Sequence, residues 1–141
     1  MINKIVEAIG LALNAEFGGD INIYTEKVEQ GLQKPCFFIA CVNQARQLWR
    51  GRMYRRENQF CLQYFPADIG RVREECNAVA ERLFSCLEFL PVGAKKLRGC
   101  KMHYEIIDNT LHFFVNYDFL AEQAQDTPAM TELAEQVGVR E

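Results

Sequence analysis

Residues 96–107 and 110–120 read as two strands on either side of Asp108-Asn109, and the period of two in the second constrains the fold more than any other feature. Leu111, Phe113, Val115, Tyr117 and Phe119 alternate with His112, Phe114, Asn116 and Asp118, which gives the second strand an aromatic inward face. Asp and Asn tolerate positive φ, so Asp108-Asn109 suits the two central positions of a tight turn.

Two segments follow the other period. Ile2, Ile5, Val6, Ile9, Ala12, Leu13 and Phe17 share one face of a helix, which Gly18-Gly19 ends by accepting the left-handed cap conformation. Val72, Cys76, Val79, Ala80, Leu83, Leu87 and Leu90 form a second stripe, with Asp68 as its expected N-cap and Pro91 and Gly93 as its close. Between the helices, Ile21, Ile23 and Thr25 alternate as a half-buried strand, and Gly31 to Pro35 reads as a turn. The continuous apolar run Cys36–Val42 reads as a central strand covered on both faces. A returning strand places Phe60, Leu62 and Tyr64 on one face and Gln59, Cys61 and Gln63 on the other. The expected order is α-β-β-β-α-β-β, an α+β chain.

Between those two strands the composition turns polar and basic. Arg46, Arg50, Arg52, Arg55 and Arg56 fall within eleven residues, interleaved with Trp49 and Tyr54, and Gly51 is placed to supply the turn of a long hairpin. Three uses fit such a surface. Guanidinium groups with aromatic rings can dock on another protein chain, since Trp, Tyr, Met and Arg are enriched in interface cores. They can also grip phosphates and stack on bases, or simply shield an exposed sheet edge.

Charge bears on that choice. The 141 residues carry a formal net charge of -3, and residues 122–141 hold five acids against Arg140, a local charge of -4 that leaves the remainder at about +1. A dedicated nucleic-acid binder needs a clear excess of Lys and Arg over the whole domain. The chain is thus expected to form one domain over 1–121 followed by an acidic C-terminal tail over 122–141. For that tail, a short helix from Thr127-Pro128 through Met130, Leu133 and Val137 and a segment disordered until bound both fit the sequence. No apolar signal core or membrane-length run occurs, so a soluble, unexported chain without a membrane partner is expected.

Catalytic signatures are missing. No phosphate-cradling glycine loop, nucleophile elbow or helical zinc motif occurs, so no catalytic, cofactor-binding or metal residue is nominated. His103 and His112 come near each other across the Asp108-Asn109 hairpin, but two histidines without a placed carboxylate or thiol are read as ordinary strand residues. Cys36, Cys41, Cys61, Cys76, Cys86 and Cys100 show no C-x-x-C spacing and are read as reduced, mostly buried small hydrophobes. A thiol enzyme would instead require one strongly reactive cysteine.

Three longer strings carry a resemblance. Val28-Glu-Gln-Gly-Leu-Gln-Lys-Pro-Cys-Phe-Phe-Ile39, Arg55-Arg-Glu-Asn-Gln-Phe-Cys-Leu-Gln-Tyr-Phe-Pro66 and Lys101-Met-His-Tyr-Glu-Ile-Ile-Asp-Asn-Thr-Leu-His-Phe-Phe-Val-Asn-Tyr-Asp118 resemble the phage tail terminator family. The resemblance covers about residues 1–120 and rests on these strings and the order of elements. It implies a mixed, mainly antiparallel sheet flanked by two helices, in a non-enzymatic structural protein. Such proteins are encoded by phages, prophages and phage-tail-like bacteriocins.

The implied role is to cap the head-proximal end of a tail tube, usually as a homo-hexameric ring, ending tube growth and presenting a joining surface. Implied partners are the chain itself, the tail tube protein and a neck or head-tail connector protein, with a possible contact to the end of the packaged DNA. The implied location is the virion tail, with assembly in the bacterial host cytoplasm, and no cofactor is implied. A ring requires two different complementary patches on each subunit. Arg46, Trp49, Arg50, Arg52, Tyr54, Arg55 and Arg56 are the expected subunit or tube interface, and the acidic tail is a candidate counterpart to them.

Overall fold

The computed structural model describes residues 1–25, 33–67 and 69–122, the side chain of Ile69 excepted. Helix α1 spans Ile2–Phe17 and buries Ile5, Ala8, Ile9 and Leu13. It stops at Gly18, whose φ of 84° only glycine adopts without strain and whose N–H reaches the Asn14 carbonyl at 2.9 Å. Strands β1 (Asn22–Tyr24), β2 (Cys36–Arg50) and β3 (Met53–Phe65) follow, and a 3-10 turn over Ile69–Arg71 leads into helix α2 (Val72–Cys86). The chain closes with β4 (Phe89–Val92), β5 (Lys95–Ile107) and β6 (Thr110–Glu122). The six strands form one sheet in the order β1-β2-β3-β6-β5-β4. β1 pairs with β2 in parallel, and β5 pairs antiparallel with both β4 and β6, so the sheet is mixed.

The chain divides into two compact units. The larger comprises Met1–Ala45 with Arg56–Phe119; the smaller comprises Arg46–Arg55 with the chain from Leu120, described as far as Glu122. In the larger unit both helices close over one core. Phe37 and Ile39 of β2, Phe60, Leu62 and Tyr64 of β3 and Leu111, Phe113, Val115 and Tyr117 of β6 meet the apolar stripes of α1 and α2 there. Burying that many large side chains, each worth roughly 1.5–3 kcal/mol, is what orders the sheet.

Three local departures from the expected pattern have physical causes. The stripe from Val72 to Leu90 does not run on as helix: α2 ends at Cys86, and Leu90 is buried from strand β4. Pro91 disfavours a helical conformation at the residue before it, and Gly93 (φ 62°) instead turns the chain so that Leu90 pairs with Leu97. Cys36–Val42 is covered on both faces only where it begins. Cys36 and Phe37 are fully buried and Val42 is half exposed, and β1 pairs with the same beginning of the strand, Cys36–Phe38. Strand β5 contains a bulge: Cys100 faces Asn116 and His103 faces Phe114, with Lys101 at φ 53°. The extra residue changes which side chains face inward, from Leu97 and Gly99 before it to Met102, Tyr104 and Ile106 after it.

The Asp108-Asn109 turn forms as expected, with φ values of 50° and 60°. α2 is entered through the 3-10 turn, and its N-cap is Arg71, which makes no side-chain capping bond. A carboxylate in the first turn of the helix secures that entry, Glu75 accepting from the Tyr64 hydroxyl at 2.6 Å and from the Ala67 N–H at 3.3 Å. The expected N-cap Asp68, the start of the Gly31 to Pro35 turn and the tail beyond Glu122 lie outside the described residues.

Candidate functional site

In the smaller unit, β2 and β3 are joined by the two-residue turn Gly51-Arg52, with Gly51 at φ 57°. Gly51 therefore supplies the turn that the sequence led us to expect, in the left-handed conformation that a tight hairpin needs. Arg46–Arg55 carries four arginines and no acid. The guanidinium of Arg46 lies 4.4 Å from the Tyr54 ring centroid, and that of Arg50 lies 5.1 Å from the Trp49 ring. Each such contact is worth about 0.5–1 kcal/mol at an exposed site, enough to bias rotamers but not to fold the hairpin. Arg52 Nη2 is 3.5 Å from Glu122 Oε2, an exposed pair worth roughly 0–1 kcal/mol.

The apolar members matter as much as the charges. Trp49 is 54% exposed and Leu48 61% exposed, flanked by arginines on the same short segment. Trp, Tyr, Met and Arg, the types gathered on this hairpin, are those enriched in interface cores. Of the seven expected interface residues, Arg46, Trp49, Arg50, Arg52, Tyr54 and Arg55 belong to this unit. Arg56 belongs to the larger one, its guanidinium 5.4 Å from the Phe119 ring. Leu48 and Glu122 complete the local set; Glu122 opens the acidic segment expected as a counterpart to the arginines, whereas Leu48 was not among the residues expected at the interface. A leucine next to Trp49 within an arginine-rich stretch was the available signal for Leu48.

The histidines and cysteines of the larger unit have ordinary structural surroundings. His103 is two positions out of register with His112, which faces Glu105, and its ring stacks on Phe114 at 4.9 Å between centroids. No group of three or more potential metal ligands forms among the described residues. Burial pushes the thiols of Cys61 and Cys86 up to about 11 and raises those of Cys36, Cys41 and Cys76 as well. A raised thiol is a poor nucleophile at neutral pH, the opposite of what a thiol enzyme requires. Asn43, Ala45, Glu57, Gln59, Lys101, His103 and Asn116 line a shallow polar cleft of about 250 Å³ on the sheet. Among the described residues, no helix is long and apolar enough to cross a membrane.

Comparison with known families decides what kind of protein carries this hairpin. The family described as phage tail terminator protein matches residues 4–129, nearly the whole chain. The chain belongs to the phage tail terminator family. Terminators are structural proteins of tail completion and belong to the virion tail, and this chain shares that general role. The match runs past residue 121 into the acidic segment, further than the resemblance of extended strings reaches. No curated protein matches the chain. Among the solved structures similar to it, one shares 13% identity at a TM-score of 0.46, with 90% of this chain and 99% of that one covered.

Proposed function

We propose that this terminator caps the head-proximal end of a phage or phage-like tail tube as a ring of identical subunits, ending tube growth and offering the joining surface for the neck. Family membership over residues 4–129 carries this reading. The hairpin supports it physically. A closed ring needs a heterologous contact, in which one patch of each subunit meets a different patch of the next. The exposed Leu48 and Trp49 among Arg46, Arg50, Arg52 and Arg55 provide one such patch, able to bury apolar area against a neighbouring subunit or the last tube ring. The work done is mechanical, with no catalytic residue, cofactor or metal involved.

Nucleic-acid contact is the rival use of the same surface, favoured by four arginines without an acid over Arg46–Arg55. Two ring faces already hold guanidinium groups of the same hairpin, so a base would have to displace Arg46 or Arg50 in order to stack there.

Electron microscopy of tails assembled with and without the protein tests the proposal. Tubes of regular length, each bearing a ring at the head-proximal end only when the protein is present, are the expected result. Equal lengths and identical ends in both samples would refute it. A steep loss of DNA affinity with rising salt would then identify the hairpin as a phosphate-binding surface.

A further inference from the structure

The acidic segment that follows Glu122 was expected only as a counterpart to the hairpin of a neighbouring subunit, and the structure shows where it begins. Glu122 ends β6 beside the turn of the basic hairpin, with its carboxylate 3.5 Å from Arg52. Residues 123–141 then add Asp126, Glu132, Glu135 and Glu141 against Arg140, interleaved with Met130, Leu133, Val137 and Val139. The hairpin offers the complement: four arginines without an acid, and Leu48 and Trp49 more than half exposed. From this charge and apolar complementarity, and from the point at which the segment leaves the sheet, we infer that residues 123–141 dock on the Arg46–Arg55 hairpin of their own chain and cover it before assembly.

Reach is no obstacle. Nineteen residues extend to about 60 Å, whereas an arm of five hairpin residues is only about 17 Å long. A covalently linked segment acts at an effective concentration in the millimolar range, so weak, screened charge contacts suffice to hold it in place. The bound segment would keep an arginine-rich, aromatic surface from adhering to nucleic acid or other acidic surfaces in the host, and the true partner would have to displace it. This contact is within one chain and does not depend on ring formation.

Trp49 makes the idea directly measurable, because it is the single tryptophan of the chain and lies on the hairpin. Quenching of its fluorescence by iodide, an anion, and by acrylamide, which is neutral, is to be compared in three proteins at low salt. These are the full chain, a chain ending at Glu122, and a full-length variant carrying Asp126→Asn, Glu132→Gln, Glu135→Gln and Glu141→Gln. The third keeps chain length and apolar residues, so it separates charge from truncation.

The truncated chain is expected to show iodide quenching at least about twofold above that of the full chain, since uncovered arginines concentrate anions locally. The neutralised variant should approach the truncated chain, and added salt should bring the full chain toward both. Acrylamide quenching should rise with truncation as well, because the indole itself is uncovered. A peptide of residues 123–141 added to the truncated chain should restore protection only at concentrations approaching millimolar. Identical quenching in the full and truncated chains would overturn the inference. So would protection that falls on diluting the full chain, which would assign the segment to a second copy.

Discussion

Replacing Trp49 by Ala separates an interface residue from a structural one. The ring is 54% exposed, so of roughly 250 Å² for a tryptophan side chain about 135 Å² remains in water. Burying that area at about 25 cal/mol per Å² is worth about 3.4 kcal/mol at most. Interfaces realise only part of such a transfer, because association also orders side chains and desolvates neighbouring polar groups. About 2 kcal/mol is a reasonable net loss, and at 1.4 kcal/mol per tenfold it corresponds to a roughly 30-fold weaker contact. The folded subunit itself loses little: one cation-π contact to Arg50 and no core packing, so the melting temperature should move by only about 2 °C. The assay is the concentration of protein that caps half of a fixed number of tube ends, scored by electron microscopy, alongside thermal unfolding of the isolated protein. Half-capping within about threefold of the unsubstituted protein would refute the assignment of Trp49 to the interface, because it would amount to less than 1 kcal/mol.

Reversing Arg52, Arg55 and Arg56 to Glu should weaken capping most at low ionic strength, where exposed charges are least screened, and capping equal to that of the unsubstituted protein across a salt series would exclude an electrostatic contribution. Two buried features meet at the Leu87 carbonyl, which accepts from the Tyr117 hydroxyl at 2.6 Å and would lie 2.7 Å from a Cβ at Gly99. Tyr117→Phe should therefore cost about 1–3 kcal/mol by stranding a buried acceptor, and Gly99→Ala about 1–3 kcal/mol by forcing the backbone apart, both read from urea unfolding midpoints at constant slope. The buried thiols add a pH dependence. Cys61 and Cys86 titrate near 11 when folded against 9.0 otherwise, so the folded state holds more protons between those values; this contribution to stability is complete below pH 9 and is lost as pH rises through 11. Denaturation midpoints should fall across that window, and should fall less in a Cys61→Ala, Cys86→Ala variant compared with its own value at pH 8.

Repeating local patterns in the sequence determined the two helices, the hairpin turn at Asp108-Asn109, the Gly51 turn and the basic stretch between two apolar strands. Each depends on side chains close in sequence: a period of two or 3.6, a residue that accepts positive φ, a run of like charges. The family was legible for the same reason, through strings that survive as strings. The tertiary structure decided where those patterns stop. Leu90 continues a helical stripe in sequence but is buried from a strand, because Pro91 opposes the helix and Leu97 lies opposite to pair with it. The bulge at Lys101 leaves only a trace in the sequence, where the apolar positions change from Leu97 to Met102, Tyr104 and Ile106 across Gly99. Only pairing with β6 shows that one residue too many must be accommodated there. The site divides in the same way. That arginines and aromatics share a hairpin follows from composition and one glycine. That Arg46 covers Tyr54 depends on the pairing of the two hairpin arms, and that Arg56 turns instead to Phe119 and the acidic segment starts beside Arg52 depends on contacts between residues more than sixty positions apart, which a linear pattern does not encode.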